Sequence, residues 1–220
     1  MPYVSNEPKG NKTPGAVVGQ RYIQPSWENP LSCVICGVGG QGNVLASRLI
    51  AYVLMERGEH VKTAETIGMA QKGGSVVSHV RGGRPQSPLV PKGCADVLIA
   101  FEPAEAVRCI DYVKPGGTVV VNLQAVQPTT AALTGSYYDG SEHLGYLRSL
   151  DDINLVAVDG LAIARGAGNP RALNVVLLAE AVKSGALGIS REELEAAIRA
   201  QVKERFHEMN LRAISTVFED

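Results

Sequence analysis

The sequence predicts an α/β fold, a mostly parallel, Rossmann-like doubly wound sheet with C-terminal helices. Three observations carry this. Over residues 33–57 an apolar strand breaks into a glycine turn and continues as a long apolar helix. The runs Val97-Leu98-Ile99-Ala100 and Val119-Val120-Val121 are continuously apolar, as parallel strands covered on both faces require. From Leu31 onward strand and helix patterns alternate, and helices follow the last strand. At 220 residues and 45% hydrophobic content, the chain can bury the core of one domain.

Residues 1–30 stand apart. Pro2, Pro8, Gly10, Pro14, Gly15, Pro25 and Pro30 interrupt a polar stretch without apolar period, so it reads as an extended tail. Tyr22, Ile23 and Trp27 are costly to leave in water, which favours docking of the tail onto the body or onto a partner. The domain then spans 31–220. Val34 and Ile35 belong to the first strand, and a helix follows it from Val44 to Arg57. Strands are expected over residues 60–66, 75–81, 95–101 and 118–123. Between the last two, a helix over 103–113 begins at Pro103, where a missing N–H does no harm, and closes at Lys114-Pro115-Gly116-Gly117. Asn154 to Val158 offers a sixth strand. A helix over 171–186 is apolar on most faces and should be well buried. Ser190 and Glu193 form an S-x-x-E capping box, and Leu194, Ile198 and Val202 recur at four-residue spacing behind it. A final helix is expected over 203–220, after a bend.

Net charge is −1 and the chain has 3 Phe and 1 Trp, which leaves neither a basic surface nor many stacking platforms for nucleic acid. No apolar run reaches the length of a membrane span and residues 1–30 lack the apolar core of a signal peptide, so a cytoplasmic location is expected. Cys33 and Cys36 form a C-x-x-C pair, but residues three apart on a strand point to opposite faces. With no second pair and no histidine at zinc-ligand spacing, Cys33, Cys36, Cys94 and Cys109 read as buried, reduced thiols.

Gly37, Gly39 and Gly42 fit the G-x-G-x-x-G spacing. Such a turn lets a ligand or a neighbouring backbone come close, while the helix behind it offers unpaired N–H groups and a positive dipole end to an anion. Tight helix-on-sheet packing satisfies the same spacing. A second loop, Gly68-Met69-Ala70-Gln71-Lys72-Gly73-Gly74, follows the second strand and should share the carboxyl edge of the sheet with the first turn. Glu65 stands where a nucleotide-binding fold places an acid on a ribose hydroxyl, or is a surface carboxylate. Arg81 suits a phosphate, a carboxylate or a surface ion pair. His79, without an Asp or Ser at recognisable spacing, reads as packed or hydrogen-bonded. No catalytic triad is visible and no catalytic residue is assigned.

Gly37-Val38-Gly39-Gly40-Gln41-Gly42, the Gly68–Arg81 segment, Ala95-Asp96-Val97-Leu98 with Glu102, and Asn174 together resemble the gamma domain of 2-oxoacid:ferredoxin oxidoreductases, nearest the beta subunits of the indolepyruvate type. The likeness covers residues 31–210. Lys72 stands where that family often has Arg, keeping charge but losing the bidentate fork. The resemblance implies a subunit, inactive alone, of a complex that decarboxylates an aryl-2-oxoacid to acyl-coenzyme A and carbon dioxide and reduces ferredoxin. Thiamine diphosphate, magnesium and 4Fe-4S clusters would reside in a larger partner subunit. Gly37, Gly39, Gly40, Gln41, Gly42 and Asn43, with Gln71, Gly73, Gly74, Ser75 and Arg81, would then shape either a coenzyme A site or the subunit interface. The other readings are a free-standing dinucleotide-binding oxidoreductase built on Gly37, Gly39, Gly42 and Glu65, a gamma subunit of the pyruvate or ketoisovalerate type, and a scaffold that binds nothing small.

Overall fold

A computed structural model of the chain describes residues 30–67, 74–127 and 137–219. Six strands form one sheet: β1 (Ser32–Val38), β2 (Lys62–Ile67), β3 (Ser75–Arg81), β4 (Ala95–Ala100), β5 (Val113–Asn122) and β6 (Asn154–Val158), in the order β2-β3-β1-β4-β5-β6. Apolar β1 lies at its centre, parallel to β4, and β4, β5 and β6 continue in parallel. On its other side β1 pairs antiparallel with β3, which pairs antiparallel with β2. Among the described residues β3 is thus the single strand running against the rest, and the sheet is mostly parallel.

Among the described residues seven helices flank it: α1 (Asn43–Glu56), α2 (Pro103–Cys109), α3 (Ser141–Arg148), α4 (Gly160–Gly166), α5 (Leu173–Lys183), α6 (Arg191–Gln201) and α7 (His207–Glu219). Alternation along β1 divides them. Cys33 and Ile35 face one core with α1, α4, α5, α6 and α7, while Val34 and Cys36 face a second core with α2 and α3. The two cysteines of the C-x-x-C pair therefore lie on opposite sides of the sheet, as strand geometry demands. α5 is buried on nearly every face because it packs against α1, α4, α6, α7 and the sheet together.

Several boundaries differ from the sequence expectation for identifiable reasons. β5 begins at Val113 and absorbs the Lys-Pro-Gly-Gly stretch, with a register irregularity opposite Ala95 to Val97. There Gly116 has a φ of 73° and donates its N–H to Asp152 O at 2.7 Å. The helix expected to run from 103 to 113 stops at Cys109 and tightens into a 3-10 turn over Ile110–Tyr112. α3 and α4 have no clear apolar period and are not among the helices expected from the sequence. α3 is interrupted by Gly145, and α4 is flanked by glycines and started by the Asp159 side chain, which accepts from Ala162 N at 3.0 Å. The Ser190 to Glu193 capping box is present in both directions. Arg57, at the end of α1, reaches the same Glu193 with Nε at 2.7 Å and Nη2 at 2.5 Å, tying the two helices. The chain bends at Val202, which is extended, before α7 begins.

Candidate functional site

The carboxyl end of β1 is where the glycines act. Gly37 packs too tightly for a side chain: an added Cβ would stand 2.7 Å from Gln41 Oε1 and 2.9 Å from Phe101 Cβ. Gln41 folds back over the turn, its Oε1 accepting from Val38 N at 2.6 Å and its Nε2 donating to Phe101 O at 3.2 Å. One amide thereby ties the ends of β1 and β4. Gly39 N donates to Gly74 O at 2.9 Å, which brings the β2–β3 connection onto the turn. Gly40 and Gly42 have φ of 101° and 96°, a left-handed conformation that favours glycine. They differ in surroundings. A Cβ on Gly40 would meet open space, whereas one on Gly42 would stand 2.5 Å from Asn174 Nδ2.

Gly42 begins α1 without any side-chain cap, and no acidic residue lies in the first turn. The N–H groups of Leu45 and Ala46 return to Gly42 O, so those of Asn43 and Val44 have no partner among the described residues. Asn43 is buried and donates from Nδ2 to Val76 O at 3.0 Å, while its Oδ1 has no hydrogen-bond partner. A cavity of about 440 Å³ opens over Gly39, Gly40, Gly42 and Val44. Its described lining contains no carboxylate, and the α1 dipole gives it a positive end.

A second cavity, of about 660 Å³, shares Val38 and Gly39 with the first and extends to Tyr138 and His143. Its chemistry is opposite. Glu102 is 2% exposed and starts α2 by accepting from Glu105 N at 3.0 Å; its other oxygen accepts from the Tyr138 hydroxyl. Glu105 accepts from the Ser75 hydroxyl and pairs with Arg108 at 3.3 Å. Burial, and then the Glu102 hydrogen bond, push the Tyr138 phenol well above its ordinary range, so it remains a donor.

The structure gathers Gly37, Gly39, Gly40, Gln41, Gly42, Asn43, Gly74 and Ser75 at one edge. Gln71 and Gly73, with Lys72, lie outside the described residues. Arg81 is not with them. It pairs with Ser32 at the far end of β1 while Ser75 pairs with Val38, a separation of about 20 Å at the usual rise per strand residue. There Arg81 Nη1 donates to Ser87 O and Leu89 O, and no ion pair holds it among the described residues. Glu65 is exposed on the outermost strand, with β3 between it and β1, so it cannot take the ribose position of a dinucleotide fold. His79 is buried, accepts from Val90 N at 3.3 Å on Nδ1 and packs edge-on against Tyr112. Cys33, Cys36 and Cys109 are buried, but Cys94 is exposed, correcting the expectation of four buried thiols. It sits after Gly93 in a loop before β4, outside either core. Among the described residues no cluster of three or more potential ligands is placed to hold a metal, and no helix is long and apolar enough to cross a membrane. Glu105, Tyr138 and His143 line the second cavity without any signal in the sequence pattern that marks them. A Glu-Pro pair closing a strand signals an N-cap such as Glu102, but the contact to Tyr138 is tertiary.

The site is therefore that of an α/β domain offering backbone N–H groups and shape, with its polar side chains turned inward. Residues 32–219 match the pyruvate ferredoxin/flavodoxin oxidoreductase family. The chain is 40% identical over 185 residues to the indolepyruvate oxidoreductase subunit IorB of Archaeoglobus fulgidus, spanning 84% of this chain and 92% of that one. Its fold is similar to that of pyruvate oxidoreductase subunit PORC from Thermotoga maritima, with a TM-score of 0.63 at 20% identity over 87% of this chain and 96% of that one. It is also similar to 2-oxoglutarate:ferredoxin oxidoreductase from Magnetococcus marinus, solved with 2-oxoglutarate, coenzyme A and succinyl-CoA bound, with a TM-score of 0.59 at 20% identity over 86% of this chain and 30% of that one. The chain belongs to the pyruvate ferredoxin/flavodoxin oxidoreductase family.

Proposed function

We propose that this chain is the subunit without thiamine or clusters of an indolepyruvate-type 2-oxoacid:ferredoxin oxidoreductase. The complex would convert an aryl-2-oxoacid and coenzyme A to acyl-coenzyme A and carbon dioxide, delivering two electrons to ferredoxin. The observation that carries this is the 40% identity extending over 92% of the IorB subunit. Thiamine diphosphate with magnesium and the 4Fe-4S clusters would belong to the larger partner subunit of that complex. Thiamine supplies the carbanion sink of such a decarboxylation.

Coenzyme A fits the glycine turn. Its phosphates require N–H donors and no nearby carboxylate, and among the described residues the cavity over Gly39, Gly40 and Gly42 offers unpartnered N–H groups of α1 and no acid. The residues that would hold it are Gly40, Gly42, Asn43 and Val44, through backbone atoms. Gln41 and Ser75, whose side chains are engaged inside the protein, would act by holding the turn in shape.

The test is purification of the tagged protein from its native source under anaerobic conditions, with thiamine, magnesium, iron and sulfide analysis. A co-purifying larger subunit carrying thiamine and clusters, with acyl-coenzyme A formation from indolepyruvate, is expected. In that complex Gly40→Ala should raise the KM for coenzyme A while leaving decarboxylation without coenzyme A unchanged. Thiamine-independent, nicotinamide-linked oxidation by the isolated chain would overturn the proposal.

A further inference from the structure

The expected tail, residues 1–29, lies outside the described residues, and the longest fully described connection without helix or strand is residues 82–94, between β3 and β4. Little of this strap is buried. From Arg84 to Cys94 its single buried side chain is Val90, 2% exposed, which belongs to the second core. Gly83 and Gly93, with φ of 86° and 71°, stand at its two ends, where the chain can turn without a side chain in the way. Most of its polar ties lie at the surface. Lys62 Nζ donates to Gln86 O at 3.0 Å, and Arg81 Nη1 donates to Ser87 O at 3.2 Å and to Leu89 O at 3.3 Å. Glu59 Oε2 accepts from Gly83 N at 3.0 Å, and Asp111 pairs with Lys92.

The tie that lies inside is to His79. Val90 N donates to His79 Nδ1 at 3.3 Å, and the ring, 2% exposed, stands edge-on to Tyr112. A backbone N–H can only donate, so this contact requires Nδ1 without a proton and places the ring proton on Nε2. Protonation at Nδ1 sets two N–H groups against each other and leaves a cation in an apolar seat. No carboxylate offsets it. Val34 of β1 and Ala64 of β2, opposite His79 in register, are apolar, Tyr112 offers a ring edge, and the one charge on its own strand is the cation Arg81. Burial lowers the ring's pKa, and no acid acts against that effect. Val90 is thus both the strap's one buried side chain and the donor that a protonated His79 rejects.

We propose that residues 84–92 form a pH-responsive strap: protonation of His79 expels Val90 from the second core and lifts the strap while the sheet stays folded. The sheet survives because β3 is paired along its length with β1 and with β2, whereas the strap gives up one buried side chain. The lifted strap lets water reach the ring, which then holds its proton as an exposed histidine does. The strap leaves β3 at the edge away from the glycine turn, and the inference is independent of the coenzyme A reading.

The test is hydrogen–deuterium exchange of the full chain from neutral to mildly acidic pH, comparing strap peptides with β1 peptides in the same samples, because the intrinsic pH dependence of exchange is common to both. An exposed histidine protonates near pH ~6.5, so strap exchange relative to β1 should rise about tenfold by pH ~5.5. His79→Asn, which puts a non-titrating acceptor where Nδ1 stood, should hold the ratio constant. Nitrogen-15 shifts of the His79 ring in the unaltered chain should report the proton on Nε2 at neutral pH and uptake of the second proton over the range in which the strap opens; should the variant fail to fold, this titration decides alone. A flat strap ratio would overturn the proposal. Strap and β1 exchange rising together would overturn it by showing global unfolding, and a ring that stays neutral while the strap opens would do so equally. A folded His79→Asn chain that keeps the response would assign the opening to Glu59 or Asp111 and refute the role of His79.

Discussion

Replacing Gly40 and Gly42 separately by alanine should separate backbone strain from a packing contact in the glycine turn. Their φ values, 101° and 96°, are nearly equal, so the conformational cost of a Cβ is common to both, about 2 kcal/mol each. What differs is the surroundings. The Gly40 position has no heavy atom within 4 Å of an added Cβ, while at Gly42 it would meet Asn174 Nδ2 at 2.5 Å and Asn174 Cβ and Cγ at 3.0 Å. Asn174 is buried on α5 and holds its Oδ1 on Val175 N, so it cannot swing freely, and overpacking of this kind adds about 2 kcal/mol. Urea unfolding should therefore show losses of about 2 kcal/mol for Gly40→Ala and about 4 for Gly42→Ala, with unchanged m-values. In thermal terms these are about 4–8 °C and 8–16 °C for a domain of this size. Asn174→Ala removes Nδ2 and Cγ, so the Gly42→Ala, Asn174→Ala pair should couple favourably by about 1–2 kcal/mol. Equal losses at the two glycines, or no coupling with Asn174, would show that the α5 contact is not what constrains the turn.

Other consequences are checked more quickly. Arg57→Ala removes a charge-assisted two-point contact to Glu193, with side chains 18% and 30% exposed, and should lower stability by about 1–2 kcal/mol in urea unfolding, as should Glu193→Gln, without the two effects adding. Burial lowers the His79 pKa below its ordinary value, so the folded protein keeps this ring neutral while the unfolded chain takes up a proton; stability should fall as pH drops below about 6.5 and level off below the folded pKa, and His79→Gln should flatten that slope in unfolding curves measured from pH 7 to 5. Thiol titration of the native chain should count one reactive cysteine, Cys94, and four after unfolding, because Cys33, Cys36 and Cys109 are buried and burial holds the Cys33 thiol protonated.

The sheet was legible from apolar runs because period and length speak directly to burial: Ser75 to Arg81 and Asn154 to Val158 match their strands end for end. Direction is not written in a strand. Nothing in Ser75 to Arg81 states that it runs against β1, and that reversal places Arg81 at the far edge, while the strand order sets β3 between Glu65 and the turn. The glycines were legible as a turn; the roles of Gln41 and Ser75 were not, since a side-chain amide or hydroxyl can face a ligand or its own backbone with the same sequence. α3 and α4 escaped because short helices held by tertiary packing need no amphipathic period.

The inward commitment of the polar side chains also decides what this edge can recognise. With Gln41 spent on Val38 and Phe101, and Ser75 on Glu105, selectivity rests on fixed backbone dipoles and on the carboxylates next door. Two unit charges 4 Å apart interact by about 4 kcal/mol at an effective dielectric near 20; Glu105 is offset by its Arg108 pair, so Glu102 would contribute most to a bias that sets the charge of an anionic guest over Gly40 and α1 and a neutral portion toward Tyr138. Glu102→Gln should relax that bias, admitting smaller anions to the second cavity, and a phosphate titration followed by chemical-shift changes at Gly40 and Tyr138 would read it. Equal phosphate responses at both residues in the unaltered chain would mean that the carboxylates do not partition the edge and that shape alone directs what binds there.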